Sequence, residues 1–367
     1  MWNSRLVPGF APNGTPILSV LGKRTYRFTP GGKAVPDRAE PVPFFETDLF
    51  HGKSDPALDP PRQESDLCDW KPKVDVVVHG LAHAPRGKLG HFFDAFVAVG
   101  GTRAGVRVFG NRRVDMSRGS PRFTDPEPFA SMPLHWGLAY GGVDRWTHPD
   151  IALPYPKNPV GKGFAVAPEP QFLHGMELPN LEDPQNPIQP GSFLLRKFER
   201  WMSGPEPFAL GWMPRGAHIR RQVVVASAGK DGEAARERER ISRNLPLATP
   251  DAAVPVDRNP RDHAANNGAL PLLRFPRLAG DEPVSLVYMD PDHPRLDFAL
   301  GGDAPLGYLR LAKEWVELPM VATTLEIYPQ TRQLTLVWRG SARYPGIRWL
   351  AEREDKIRFK VRSRAEM

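Results

Sequence analysis

Proline sets the limits on what this chain can fold into. It fills 42 of 367 positions, about 11% where about 5% is ordinary. An interior proline costs a helix roughly 3 kcal/mol, because it lacks a donor and its ring clashes with the preceding turn. Long helices are therefore scarce, and short strands joined by shaped loops are expected. With 40% apolar residues there is ample material for a core, in two or three domains or in one large β structure.

Alternation marks the strands. "KIRFKVRS" (356–363) sets Ile357, Phe359 and Val361 against Lys356, Arg358, Lys360 and Arg362, the period of two of a half-buried strand. "RQLTLVWRG" (332–340) similarly buries Leu334, Leu336 and Trp338, and pairs with "TTLEIYP" (323–329) across "PQTRQ" as an antiparallel hairpin. Further strands are expected at 16–28, 73–82, 92–101, 105–110, 282–289 and 295–300. Gly/Pro punctuation rather than helical sequence separates them, which favours antiparallel pairing over βαβ units. One helix is expected, at 232–244 ("GEAARERERISRN"). The fold expected is mainly β, with antiparallel sheets in a sandwich-like or twisted β core, long Pro/Gly-rich packed loops and at most a few short helices. Three regions follow: a β-rich segment over residues 1–214 containing the loop region 116–200, a peripheral excursion over 215–280, and a β-rich segment over 281–367 packed with the first as one unit.

Most of the net charge of +7 is at the C-terminal end. Residues 339–367 carry nine basic side chains against four acidic, read first as a solvated strand face and second as an attraction for an acidic protein or nucleic acid. Nucleic-acid binding is not expected, because Phe359 falls on the apolar side of the alternation rather than among the exposed basic residues. Cys68, the single cysteine, allows no intramolecular disulfide, redox pair or thiolate zinc cluster. There is no leader-like apolar stretch and no run of eighteen apolar residues, so a soluble cytoplasmic protein without a membrane partner is expected.

Motifs of chemistry are missing from the sequence. "PVGKGF" has Pro156 where a phosphate loop needs glycine. His79 and His83 straddle Gly80 in a strand-to-turn context, with no third ligand close in sequence. No cofactor or metal is expected. A β-rich enzyme acting on sugars needs two carboxylates roughly 5 to 10 Å apart. Glu64, Asp66, Asp75, Glu182 and Asp183 are candidates, and a carbohydrate-active enzyme or carbohydrate-binding protein is the alternative reading.

The order of five elements is specific: "ESDLCDWKPKVDVVVHGLAHAPRGK", "VRVFGNRR", "PEPFASMPLHWGLAYGG", "KNPVGKGF" and "LPNLEDPQNPI". This series resembles domain-of-unknown-function family 2169, proteins encoded beside spike and effector genes of the bacterial type VI secretion system. The likeness extends to "PFFETDLFHG" and "LTLVWRG" and departs at "NLPLATPDAAVP" and "RDHAANNGA". It implies a non-enzymatic cytoplasmic adaptor or chaperone, with the effector as partner and the spike protein and its cap as further partners. No catalytic residues are implied.

Candidate partner-binding residues are Arg112, Trp136, Tyr140, Trp146, Tyr155, Phe164 and Phe172; exposed together, such aromatics would mark the client site. Strand addition at an open sheet edge is the other available mode. Structural roles are expected for Gly80, Pro85, Gly110, Met132, Pro133, Gly141, Gly142, Asn158, Pro159, Gly161, Pro179 and Asn180. Asp66, Lys71 and Asp75 form either a polar network at the start of the 73–82 strand or a partner-facing patch. Arg112 pairs with one of those carboxylates or contacts an acidic surface.

Overall fold

The computed structural model describes the chain except for Met1, 53–58, 86–87, 148–149, 151, 167–169, 191–203, 218–219, 221–262, 264–265, 312 and 364–367. The helix expected at 232–244 and the divergent stretch 244–255 lie outside the described residues.

The protein is mainly β. Its main sheet runs in the order Asn3–Phe10, Pro16–Arg27, Gln333–Arg343, Val321–Tyr328, Val74–Val78, Arg274–Phe275, with Val35–Pro36 added to Pro16–Arg27. Neighbours are antiparallel except Val74–Val78 beside Val321–Tyr328, which is parallel. The hairpin read from "TTLEIYP" and "RQLTLVWRG" forms, with Leu325 opposite Leu336 and Ile327 opposite Leu334.

Opposed residues share a face, so the register shows what each face carries. Leu18, Val20, Tyr26, Leu334, Leu336, Trp338 and Ala342 lie on one side of the two longest strands, and Ser19, Lys23, Thr25, Thr335, Arg339 and Ser341 on the other. Both sides are buried. The half-buried strand expected at 332–340 is thus corrected: the polar side of its alternation faces a cover of chain from the 37–73 region, not water. Ser19 Oγ accepts from or donates to Ser341 Oγ at 2.8 Å, and Arg339 lies 4.0 Å over the Trp70 ring.

The apolar side packs on two smaller sheets. One is antiparallel, in the order Leu181–Glu182, Thr102–Phe109, Phe92–Val99, Pro283–Val287, Arg295–Ala299. Its inward residues Ala95, Val97, Val106, Leu286 and Phe298 join Leu325, Ile327, Leu336 and Trp338 in the largest core cluster. The other sheet, Trp315–Pro319, Pro305–Arg310, Arg358–Ser363, presents Leu309, Leu318 and Val361 to Leu18, Val20 and Ala342. Burial of this apolar area, at about 25 cal/mol per Å², holds the layers together.

The loop region after Val114 has a core of its own, built from Val114, Met116, Tyr140, Tyr155, Phe164, Leu173, Leu178 and Ile188. Helices are brief: Pro170–Leu173 and Ile347–Ala351 each make about one turn. No described helix is long and apolar enough to cross a membrane.

Candidate functional site

"MPLHWGLAYGG" is the hinge of the site. Ser131–Pro133 pairs antiparallel with Leu81–His83, placing Met132 opposite Ala82 and Pro133 opposite Leu81. Leu134 N then donates to Gly80 O at 3.0 Å, and His135 Nδ1 accepts from Gly137 N at 3.1 Å to start a short turn at Trp136–Leu138. Trp136 is buried and donates its indole N–H to Gly211 O at 2.9 Å. Asn158 Nδ2 donates to the carbonyls of Trp136 and Tyr140, each at 3.0 Å. Gly141 has φ of 143°, and a Cβ there would sit 2.1 Å from Asn158 O; only glycine fits both the backbone and the space. Asn180 N donates to Leu138 O at 2.9 Å and its side-chain amide to Phe109 O at 3.1 Å, so all five sequence elements converge here.

Where Val74–Val78 ends, these segments leave a cleft of about 330 Å³. Its apolar walls are Val78, Leu81, Pro133, Leu134 and Trp212, and its polar ones His51, Arg62, His79 and His135. His51 and His135 stack with ring centroids 4.6 Å apart. Burial, helped by His51 and Lys162, pushes His135 down to about 4; burial, with Arg62 and His79, also lowers His51.

Behind the cleft is a buried polar network. The His79 ring stacks on Tyr328 at 4.7 Å, with Nε2 at 3.5 Å from Glu326 Oε1. Glu326 accepts from Gln63 Nε2 at 2.5 Å, from the Tyr328 hydroxyl at 2.9 Å and from Thr335 Oγ1 at 3.0 Å. Lys23 Nζ lies 3.8 Å from Glu326 and 2.9 Å from Asp66. Burial works against ionisation of Glu326, but the charge of Lys23 and the groups around it hold its carboxyl well below the usual range. Asp66 goes the other way: burial outweighs the attraction of Lys23 and pushes it up to about 6. The network makes the cleft floor rigid and fixes the His79 ring, since every charged member has a partner.

The expected Asp66, Lys71, Asp75 network divides in two. Lys71 Nζ binds Asp75 at 2.9 Å and lies 5.1 Å over Trp212, and Asp75 accepts from Asn267 Nδ2 at 2.9 Å and Gly268 N at 3.0 Å. Asp66 pairs instead with Lys23, whose strand is the next but two along the sheet. Arg112 is also corrected. It pairs with buried Glu182, 3.6 Å above the Phe109 ring, because Leu181–Glu182 joins the edge of the second sheet beside Thr102–Phe109.

Four of the aromatic partner candidates are core. Trp136, Tyr140, Tyr155 and Phe164 are at most 5% exposed, which takes them out of any surface patch; Tyr140 and Tyr155 meet edge to face in the loop core. Phe172 is half-buried. Trp146, 68% exposed, is the one fully available aromatic of the set. Pro85 follows the Leu81–His83 strand, Pro159 and Gly161 adjoin the Asn158 clamp, and Pro179 packs by Gly163. The carboxylates considered for sugar chemistry are engaged elsewhere: Arg220 holds Glu64, and Asp183 accepts from Gln185 N at 2.9 Å. None of those five lines the cleft.

Sequence reasoning missed Lys23, Gln63, Glu326, Tyr328, His51 and His135 as a group. Glu326 and Tyr328 were hidden in the polar half of an alternating strand, which reads as a solvent face. Asp290, Asp292 and His293 bring ligand atoms within 4.8 Å of one another, but Arg332 binds the two aspartates at 2.8 and 2.7 Å and occupies them as a counter-ion.

A family model described as an uncharacterized protein conserved in bacteria (DUF2169) matches residues 13–339. No curated protein and no solved structure matches the chain.

Proposed function

Because the chain belongs to the DUF2169 family, which covers it over residues 13–339, we propose that it is a non-enzymatic cytoplasmic adaptor that binds a type VI secretion effector and helps load it on the spike. The observation that supports this reading most is the cleft. Its walls come from "VDVVVHGLAH" and "MPLHWG", two of the elements that carry the likeness to such adaptors, and they converge on an open, half-apolar hollow. A hollow of this size takes one or two side chains of a partner, the form in which a few buried anchors dominate a protein interface. The rigid polar floor presets its shape, which lowers the entropic cost of binding.

The test is co-expression with the protein encoded by the neighbouring effector gene, with and without the spike and cap proteins, followed by size-exclusion chromatography. A soluble stoichiometric complex of adaptor and effector is expected, with the spike or cap joining only in the presence of the effector or the adaptor. An effector that is equally soluble alone and never co-elutes overturns the reading.

A further inference from the structure

The outward face of the three-stranded sheet is a second candidate surface, distinct from the cleft. Its register places Tyr308 opposite both Glu317 and Lys360, and Arg310 opposite both Trp315 and Arg358; Leu306 lies opposite Arg362. The alternate residues Leu309, Leu318 and Val361 are buried against the main sheet, so Tyr308, Arg310, Trp315, Glu317, Arg358, Lys360 and Arg362 face outward, while Leu306 on the same side is buried. That face carries Arg310, Arg358, Lys360 and Arg362 against one carboxylate, Glu317.

Like charges directly opposite on neighbouring strands destabilise a sheet, yet Arg310 and Arg358 are such a pair. No carboxylate among the described residues forms an ion pair with any of the four cations, and Arg310 Nε is buried without a hydrogen-bond partner. Two of the cations lie over rings: Lys360 Nζ is 4.6 Å from the Trp315 centroid and 5.2 Å from that of Tyr308, and Arg310 is 5.5 Å from Trp315; Arg358 Nη1 donates to the carbonyls of Asp355 and Ile357 at 2.6 and 2.8 Å. Trp315 is nevertheless 42% exposed. A surface that concentrates uncompensated positive charge around an exposed aromatic is complementary to an anionic partner.

We propose that this sheet face docks an acidic segment of another protein chain. An acidic polypeptide is favoured over single-stranded nucleic acid by the stacking itself. Bases need free ring faces to stack on, and here Lys360 and Arg310 occupy the faces of Tyr308 and Trp315. Carboxylates need only the cations, with ring edges for apolar contact. The proposal does not depend on what the cleft binds.

The experiment uses the full chain, a fluorescein-labelled decaglutamate peptide and a labelled decathymidine oligonucleotide, read by anisotropy. The peptide should bind in a salt-sensitive manner and more tightly than the oligonucleotide. Lys360→Glu with Arg362→Glu should weaken it by about tenfold or more. Arg118→Glu with Arg122→Glu, the same change of net charge on exposed positions in the loop region, should leave it unchanged. Arg358→Gln with Arg362→Gln, both exposed, replaces the reversal if that variant does not fold. An equal loss in the loop variant, an unaltered affinity in the sheet variants, or tighter binding of the oligonucleotide overturns the proposal.

Discussion

Lys23 Nζ lies 2.9 Å from Asp66 Oδ2, with both side chains essentially buried. Lys23 stands on the polar face of the main sheet's longest strand and Asp66 in the chain that covers it, so this ion pair fastens the cover to the sheet. Asp66 also accepts from Phe45 N at 2.7 Å, which ties a second stretch of the cover to the same point.

Lys23→Met should destabilise the protein by about 3–5 kcal/mol, the usual cost of leaving a buried charge without its partner. The pH dependence should change with it. In the native protein the two carboxylates are shifted in opposite directions, Asp66 up and Glu326 down. Without the ammonium Asp66 moves further up, and Glu326 loses the largest attraction that holds its carboxyl down. The variant therefore takes up protons on folding and gains stability relative to the native protein as pH falls from about 8 to about 5. Urea titrations of both proteins across that range check the sign.

His51 and His135 should set an acid limit on stability. Both rings are held below the ordinary histidine value, His135 down to about 4, whereas the unfolded chain protonates them near about 6.5. Their contribution is complete above that pH and is lost as pH falls toward about 4, where protonation would place two like charges in stacked rings. His135 accounts for about 2 kcal/mol of the loss, allowing for its partial exposure. His135→Gln should flatten the stability curve between about pH 6.5 and 4, and an unchanged slope would count against the stacked pair as its source.

The strands were legible because alternation is a local signal, and those at 16–27, 92–99 and 358–363 fall where it placed them. What local pattern does not carry is which polar face gets covered. Thr335, Glu326 and Lys23 alternate with apolar neighbours as surface residues do, and only the return of the 37–73 chain over the sheet turns them into an interior network. Arg112 was legible as an ion-pair partner but not its mate, because Glu182 comes from an element two residues long that no period could reveal. The cleft was half legible: Gly80, Met132 and Pro133 were expected to be structural, and Gly80 and Pro133 lie on its walls, while His51 and Trp212 reach it from segments with no pattern of their own.

Two glycines at tight contacts should respond differently to a methyl group. A Cβ at Gly80 would meet Gln330 Oε1 at 2.1 Å, the far end of a side chain that can turn, whereas one at Gly110 would meet the Glu127 backbone oxygen at 1.7 Å. Gly80→Ala can be relieved by turning Gln330 away from its bonds to Met289 O and Leu81 O, at about 1 kcal/mol. Gly110→Ala must move a strand end and its partner chain, at about 3 kcal/mol or more. Thermal melting of the two variants orders them, and equal losses would mean that the Gly80 contact is as rigid as a backbone.

The cleft and the exposed loop aromatic can be separated as client contacts. Leu81 is half-buried on the cleft wall, and Leu81→Glu would set a carboxylate where a partner's apolar anchor must lose its water. Loss of one such anchor costs about 2 kcal/mol or more, roughly 30-fold in affinity. Trp146 stands outside the cleft at 68% exposure, so Trp146→Ala removes an aromatic without changing the hollow. If the cleft holds the effector, Leu81→Glu abolishes co-elution at a melting temperature close to native, and Trp146→Ala retains it. The reverse pattern would place the contact on the 143–166 loops and leave the cleft a structural seam between the sheet and its cover.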